Sequence, residues 1–222
     1  MKIDAVLFDM DGLMLDTERL TMKAFDWAGE QLGYQPMGYM VLKTLGMSGA
    51  SCIKIFADEF PDGPDFDEVR LKSKEFFGQY VKENGVPVKP GLFELLEWLK
   101  AKGYKMAVGT STRESSARPE LESAGILPYF DEMVCGDMVA AGKPAPDIFL
   151  EAAKRLGVPP ERCLVLEDSP NGIRAAYAAG MQPVVIPDLQ EPDEEILGKA
   201  IRRLQSLYEV PALLTELAET DA

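Results

Sequence analysis

The chain has 222 residues, a formal charge of −14 and no histidine. Its length suits one sizeable domain or a domain with a smaller insert, and 46% hydrophobic with 27% charged residues is typical of a globular protein. The excess of acid argues against nucleic acid or an anionic membrane as a partner. The absence of histidine excludes Ser-His-Asp catalysis, Cys-His catalysis and a zinc site built on imidazole.

The amino-terminal residues and the cysteines indicate a cytoplasmic protein, which we expect to be a monomer. Acidic Asp4 and Asp9 interrupt the first apolar run, which is therefore not a secretory signal. No apolar run approaches the ~20 residues of a membrane span. The three cysteines form no CxxC pair, so we expect reduced thiols, buried as small hydrophobic side chains, at Cys52, Cys135 and Cys163.

The first predicted element is a buried strand over residues 3–8, a short apolar run rich in β-forming residues. Helical stretches follow over about 17–32, 39–45, 50–59 and 66–84. We expect Asp16 or Thr17 to cap the first of these helices. No convincing strand falls between residues 16 and 88, so the pattern predicts an all-helical insert directly after the first strand.

From residue 88 onward, helices and strands alternate. The predicted helices cover 92–102, 114–124, 146–156 and 170–179, with a helical tail from about residue 193, and the predicted strands cover 105–109, 132–135, 163–167 and 183–186. Such alternation indicates an α/β fold with a doubly wound parallel sheet, a Rossmann-like core. The predicted domains are this core, over 1–16 and 88–222, and an inserted all-helical cap over 17–87.

Ligands of an open α/β sheet lie beyond the carboxyl ends of its strands, and four sequence stretches fall there. In the first, Asp9 and Asp11 follow the first strand only two residues apart. Crowded acids cost stability unless a cation or hydrogen bonds offset their repulsion. An Asx-type turn would need only one of them. Gly12 allows the backbone to turn sharply beside them.

The second and third stretches offer groups that suit an anion. Thr110 and Ser111 end the second strand and lead into a helix, where hydroxyls and backbone N–H groups can meet phosphate oxygens. An ordinary helix N-cap has the same composition. Lys143 lies in a loop restricted by two prolines, so it loses little further entropy on binding an anion, and the alternative is an ordinary surface lysine.

In the fourth stretch, Glu167 and Asp168 end a fully apolar strand. The alternative is that these acids only stabilise the following helix, because negative side chains near a helix N-terminus interact favourably with the helix dipole. Together with Asp9 and Asp11, however, these two would place four carboxyl groups in one pocket, which requires a cation. Oxygen ligands without histidine or cysteine select a hard ion, and phosphate chemistry favours Mg²⁺.

These four stretches, in this order, resemble the motifs of the haloacid dehalogenase-like superfamily. The helical insert resembles the cap of its β-phosphoglucomutase-like phosphatases. The resemblance spans nearly the whole chain. It implies a Mg²⁺-dependent phosphohydrolase that removes phosphate from a small phosphorylated metabolite, such as a sugar phosphate, through an aspartyl-phosphate.

The resemblance also implies a role for each site residue. Asp9 would be the nucleophile, and Asp11 would protonate the leaving alcohol and then deprotonate the attacking water. The phosphoryl oxygens would be held by Thr110, Ser111 and Lys143. The implied Mg²⁺ ligands are the side chains of Asp9 and Asp168, the backbone carbonyl of Asp11, and Glu167 either directly or through water.

Two other functions stay open at this stage. A phosphohexomutase of the β-phosphoglucomutase type resembles this chain, but such mutases carry a histidine soon after the first motif and an arginine early in the cap. The corresponding positions here are Thr21 and Gly49. A non-catalytic phosphate-binding protein would not need the complete set of nucleophile, acid, lysine and metal ligands. No residue pattern in the cap identifies the substrate.

Overall fold

The computed structural model describes residues 2–45 and 49–219, and contacts divide the chain into two compact units. One unit comprises Met1–Leu15 with Val88–Ala222, and the other comprises Asp16–Pro87. The first division falls one residue before the boundary drawn from the sequence, and the second falls at the same place.

The first unit is an α/β structure built on a parallel sheet. Its strands are β1 (Ala5–Phe8), β2 (Lys105–Gly109), β3 (Glu132–Val134), β4 (Cys163–Glu167), β5 (Gln182–Val185) and β6 (Arg202–Arg203). Within the described residues, these six strands lie in the order β3-β2-β1-β4-β5-β6, and every neighbouring pair is parallel. The chain order reverses at β1, which therefore lies at the switch point of the sheet.

The helices follow the predicted order. In the second unit they are α1 (Thr17–Gln31), α2 (Tyr39–Thr44), α3 (Gly49–Glu59) and α4 (Phe66–Asn84). In the first unit they are α5 (Leu92–Lys102), α6 (Glu114–Ser123), α7 (Asp147–Leu156), α8 (Pro170–Ala178), α9 (Glu194–Lys199) and α10 (Val210–Glu219). The predicted fold class, an α/β parallel sheet with an inserted helical cap, is confirmed.

The helical tail predicted from about residue 193 consists of two helices, α9 and α10, separated by the short strand β6. Helix α9 ends at Lys199, and Ala200 is extended, with φ −81° and ψ 138°. The chain then pairs with the edge of the sheet, where Ile201 donates its N–H to the Pro183 carbonyl at 2.8 Å. The two arginines of β6 form an edge strand too short and too polar to show an apolar strand pattern.

The central strands are buried on both faces, which explains their continuous apolar sequence. All four residues of β1 and all five of β4 are buried. On one face, small and branched side chains of the sheet pack against α7 and α8. Leu7 of β1 packs there with Phe149 and Leu156 of α7. Burial of each such side chain contributes roughly 1.5–3 kcal/mol. The three cysteines are buried, as expected, and none of them is in a disulfide bond.

The second unit has its own hydrophobic core. Phe25 of α1, Met40 of α2 and Phe56 of α3 are buried together with Val69 of α4. The ring of Phe66 packs edge-on against that of Phe56, at 5.6 Å between centroids. Among the described helices of the chain, none has the length and apolarity that a membrane crossing requires.

The first cap helix begins as predicted at Thr17, with Asp16 in the N-cap position. The Asp16 side chain makes no capping hydrogen bond with the helix backbone. It accepts a hydrogen bond from Arg19 at 2.8 Å instead. Asp16 therefore occupies the expected position but stabilises the first turn through a side-chain ion pair.

In the first unit, backbone pairing and a buried ion pair hold the turn after β1. Leu15 pairs with Val88 in an antiparallel bridge, and Lys89 donates its N–H to the Met14 carbonyl at 2.8 Å. The Lys89 ammonium pairs with Asp188, which follows β5 and whose side chain is only 2% exposed. These contacts anchor the turn that carries Asp11 to the segment at Val88 and Lys89 and, through Lys89, to the residues that follow β5.

Candidate active site

The carboxyl end of the sheet brings the two acidic stretches together, because β1 and β4 are neighbours. Phe8 of β1 is paired with Leu166 of β4. The next residue, Asp9, donates its backbone N–H to the Leu166 carbonyl at 3.0 Å. Its side chain therefore stands next to Glu167, the last residue of β4. Both carboxyl groups are buried, with Asp9 8% and Glu167 0% exposed.

Lys143 joins these two buried acids. Its Nζ donates to Asp9 Oδ1 and, at 2.7 Å, to Glu167 Oε1, and its side chain is only 5% exposed. The second oxygen of Glu167 accepts from the N–H of Ser169 at 2.8 Å and from its hydroxyl at 3.0 Å. Asp9, Lys143 and Glu167 thus form a fixed row of alternating charge.

The electrostatics of this row disfavour ionisation of both carboxyl groups at once. Burial, the largest influence, raises the pKa of the Asp9 carboxyl to about 8, against the opposing effect of the Lys143 ammonium. Burial alone would lower the pKa of Lys143, but the carboxylates of Asp9 and Glu167 outweigh it and hold that pKa above its usual range. The lysine stays charged, and a further cation would favour the ionised form of Asp9.

Asp9, Glu167 and Asp168 form a cluster that fits a divalent cation. One carboxylate oxygen of each lies within 4.8 Å of the others. At Gly12, with φ of 82°, a Cβ atom would lie 2.3 Å from Asp168 Oδ2, so only glycine allows this approach of the backbone. The donors are all oxygen, which suits a hard ion such as Mg²⁺. The residues present therefore fit the ion that the sequence implies.

The Asp11 carboxylate faces a different partner. Its Oδ2 accepts a hydrogen bond from the Thr112 hydroxyl at 2.7 Å. The acidic cluster of the described residues contains the side chains of Asp9, Glu167 and Asp168, and the Asp11 side chain is not part of it. Its expected contribution to metal binding, the backbone carbonyl, stays a prediction. The Thr112 contact was not foreseen from the sequence.

The two hydroxyl residues predicted to hold phosphate lie in different environments. Thr110 is only 1% exposed, and its hydroxyl accepts the N–H of Thr112 at 3.0 Å. Ser111 is exposed. The structure thus places Thr110 at the buried base of the loop after β2 and Ser111 on its outer side, and their role as phosphate ligands stays a prediction.

Gly172 is a further residue on which the site depends. A Cβ atom at this position in the first turn of α8 would lie 1.5 Å from Glu167 Oε1. Gly172 also donates its N–H to the hydroxyl of the N-cap residue Ser169 at 3.1 Å. The sequence shows a glycine after a Ser-Pro helix start, but nothing in it indicates that α8 packs directly on Glu167.

Glu120 of α6 is a second acid that the sequence did not single out. Burial raises its pKa to about 7, and the neighbouring Asp11 charge adds to the rise. The folded-state pKa of Glu120 lies above the usual value of 4.5. The contribution of Glu120 to the free energy of unfolding therefore falls as pH rises from about 4.5 to 7, and the loss is complete above that range.

We expect Glu120→Gln to stabilise the protein at pH 8 by roughly 1–2 kcal/mol, allowing for solvent screening, and by much less at pH 5.5. Urea unfolding at both pH values measures the difference. Glu122→Gln, at an exposed position of the same helix, makes the same charge change and should give equal effects at the two values. An equal effect of Glu120→Gln at both would contradict the raised pKa.

A separate crevice of about 490 Å³ lies at the opposite, amino-terminal edge of the sheet. Two of its basic side chains are engaged in the fold: Lys105 Nζ donates to the Leu156 carbonyl at 2.6 Å, at the end of α7, and Arg162 pairs with Asp4. Cations there complement the helix C-terminus. None of the predicted site residues lines this crevice, so the candidate active site is the acidic cluster at the carboxyl edge.

Comparison with known proteins gives a consistent family. Residues 3–180 match the model of the haloacid dehalogenase-like hydrolases. A phosphorylated carbohydrates phosphatase of Thermotoga maritima is 36% identical over 186 residues, which cover 82% of this chain and 84% of that protein. The fructose-1-phosphate phosphatase YqaB of Escherichia coli is 35% identical over 181 residues, covering 81% and 94%.

The fold also matches a solved structure. The crystal structure of CbbY from Rhodobacter sphaeroides in complex with phosphate has a TM-score of 0.72 and 32% identity to this chain. The match covers 94% of this chain and 96% of that one.

Proposed function

This chain belongs to the haloacid dehalogenase-like hydrolases, and from that premise we propose that it is a Mg²⁺-dependent phosphatase of small phosphorylated carbohydrates that acts through an aspartyl-phosphate at Asp9. The observation that carries the proposal is the buried row of Asp9, Lys143 and Glu167 beside Asp168. The names of the Thermotoga and Escherichia relatives, both phosphatases of phosphorylated carbohydrates, support the substrate class.

Asp9 is the nucleophile of this reaction. Attack of an Asp9 oxygen on phosphorus forms the aspartyl-phosphate and breaks the bond between phosphorus and the sugar oxygen. Lys143 donates to Asp9 Oδ1, so its ammonium lies beside the atoms that react. There it fixes the carboxylate for in-line attack and offsets the negative charge of the phosphoryl group.

Asp11 transfers the proton in both steps. The departing sugar oxygen takes the proton of the Asp11 carboxyl, which leaves a carboxylate. That carboxylate then takes a proton from water, whose oxygen attacks phosphorus and breaks the bond to Asp9. Phosphate leaves, and both aspartates return to their starting states.

The metal ligands follow from the acidic cluster. We assign the side chains of Asp9, Glu167 and Asp168 as the residues that would hold Mg²⁺, with the Asp11 carbonyl as a further ligand. When bound, the ion supplies positive charge that stabilises the phosphoryl oxygens. Ser169 and Gly172 keep Glu167 in place for this role, through two hydrogen bonds and through the absence of a side chain.

The enzyme is expected to hydrolyse sugar phosphates rather than isomerise them. A mutase must hold a second phosphate, which calls for positive charge in the cap. At the two positions where mutases carry such help, Thr21 is neutral and donates its hydroxyl to the Thr17 carbonyl at 2.8 Å, and Gly49 has no side chain.

The test is to incubate the enzyme with glucose 1-phosphate and a trace of glucose 1,6-bisphosphate, and to measure glucose 6-phosphate and free phosphate in parallel. Free phosphate should dominate for this and for every other accepted sugar phosphate in a panel. Glucose 6-phosphate accumulating several-fold faster than free phosphate would establish a mutase. Binding of sugar phosphates without release of phosphate, with or without Mg²⁺, would establish a non-catalytic binding protein.

A further inference from the structure

The hydroxyl of Thr112 lies on the acid that moves the proton. Thr112 Oγ1 donates to Asp11 Oδ2 at 2.7 Å, a contact between residues 101 positions apart in the chain. We propose that Thr112 is a positioning residue, which sets the orientation of the Asp11 carboxyl for proton transfer in both steps. The inference rests on the proposed function, because it assigns a role within that reaction.

The loop that presents Thr112 is held by the backbone on both sides. The Thr112 N–H donates to the buried Thr110 hydroxyl at 3.0 Å, and the Thr112 carbonyl accepts from Gly136 at 3.1 Å. Thr110 in turn donates its N–H to Val134, the last residue of β3, at 3.0 Å. The backbone that presents the Thr112 hydroxyl is therefore held by contacts with the ends of β2 and β3.

A close approach between two loops makes this arrangement specific. At Gly136, a Cβ atom would lie 2.3 Å from the Ser111 carbonyl oxygen, so the chain after β3 touches the loop after β2. A loop packed in this way cannot shift its backbone without breaking several contacts. Thr112 can thus act as a fixed reference for the orientation of Asp11.

The backbone of Asp11 is fixed, but its carboxyl group is not fixed by the backbone alone. Met14 and Leu15 donate their N–H groups to the Met10 carbonyl, both at 3.0 Å, and close the turn around Asp11. The last torsion of an aspartate is broad and roughly two-fold, so the carboxyl plane needs a partner to define it. A short hydrogen bond to one oxygen supplies that definition, and proton transfer depends steeply on such geometry.

The two catalytic steps respond differently to the loss of this orientation. Phosphorylation of Asp9 by an alkyl phosphate needs a proton for the departing oxygen, whereas p-nitrophenolate leaves without one. Release of phosphate from Asp9 needs Asp11 as a base with either substrate. Misplacing Asp11 should therefore slow the phosphorylation of Asp9 only when the substrate is a sugar phosphate. It should slow the release of phosphate from Asp9 with both substrates.

The experiment compares Thr112→Val with the wild type on a sugar phosphate and on p-nitrophenyl phosphate, in stopped flow and at steady state. We expect kcat for both substrates to fall by about 10- to 50-fold, part of the 10²–10⁴ that acid–base catalysis contributes. KM for the sugar phosphate should change by less than about threefold, because both steps slow, whereas KM for the aryl ester should fall together with kcat, because only its second step slows. The aryl ester should show a burst of nitrophenolate whose rate stays within about threefold of wild type. Thr112→Ser, which keeps the hydroxyl, should restore most of the activity.

Two further variants separate this role from a structural one. Thr215→Val removes an equivalent hydroxyl on α10, one that donates to Pro211 at 2.8 Å, and should leave the kinetics unchanged. Adding Thr112→Val to Asp11→Asn should cause no further loss, because the two residues act through one interaction. The inference would be overturned if Thr112→Val lowered kcat as much in the Asp11→Asn enzyme as it does in the wild type. It would also be overturned if Thr112→Val raised KM and left kcat unchanged, which is the effect expected from the loss of a phosphate ligand. If the wild type hydrolyses neither substrate, the proposed function itself fails.

Discussion

Replacing Asp9 with asparagine is expected to lower kcat for a sugar phosphate by about 10³-fold or more, the scale on which a lost nucleophile acts. The amide keeps the shape of the side chain but has no anionic oxygen to attack phosphorus. Folding should be retained, because burial already disfavours the charged form of Asp9 and Lys143 keeps Glu167 as a partner. The measurement is kcat and KM at saturating Mg²⁺, with urea unfolding of the same preparation.

Asp58→Asn is the matched control. Asp58 is exposed on α3, so the same change there removes one negative charge without touching the site. It should keep wild-type kcat. An Asp9→Asn enzyme that retained a tenth of wild-type activity would rule out Asp9 as the covalent nucleophile.

Removing divalent cations is expected to have an effect of similar size. In excess chelator, kcat should fall by roughly 10²–10³-fold, the equivalent of several kcal/mol of charge stabilisation, and Mg²⁺ should restore it. Ca²⁺ should suppress activity, because it prefers more ligands and longer bonds than Mg²⁺ and would misplace Asp9. Activity assays across a series of metal concentrations measure these effects.

A substitution in the acidic cluster connects this effect with the site. Asp168→Asn should raise the Mg²⁺ concentration for half-maximal activity by about tenfold or more, because it removes the charge of one of the proposed ligands. Asp193→Asn, at the N-cap of α9 in the same unit, should leave that concentration unchanged. Full activity in excess chelator would remove the metal from the reaction, and an unchanged Mg²⁺ requirement in Asp168→Asn would place it elsewhere.

Most of the fold could be predicted because its strands and helices carry strong local patterns. The strands β1 and β4 are buried on both faces and read as continuous apolar runs. Helices such as α5 begin after a glycine and end at one, with Gly91 and Gly103 both at positive φ. Strand β6 could not be predicted, since two exposed or half-exposed arginines pair with β5 only because the edge of the sheet is there.

The acids of the site could be predicted for a similar reason. Asp9 and Glu167 each stand at the end of an apolar strand, and neighbouring parallel strands bring such ends together. The partners of these acids depend on distances in three dimensions. Two contacts each join an acid to another part of the fold: that of Thr112 with Asp11 and the packing of Gly172 on Glu167. They depend on interatomic distances in the folded chain, which the spacing of residues in the sequence does not determine.

If Asp9 carries the phosphate during turnover, the aspartyl-phosphate can be trapped. The enzyme is mixed with a sugar phosphate labelled with ³²P, quenched in acid on the millisecond scale and digested, and the labelled peptide is sequenced. We expect acid-stable label on the peptide that contains Asp9, forming no more slowly than free phosphate and disappearing when excess unlabelled substrate is added. Turnover with no label on the protein at any time, or label on another residue, would contradict this expectation.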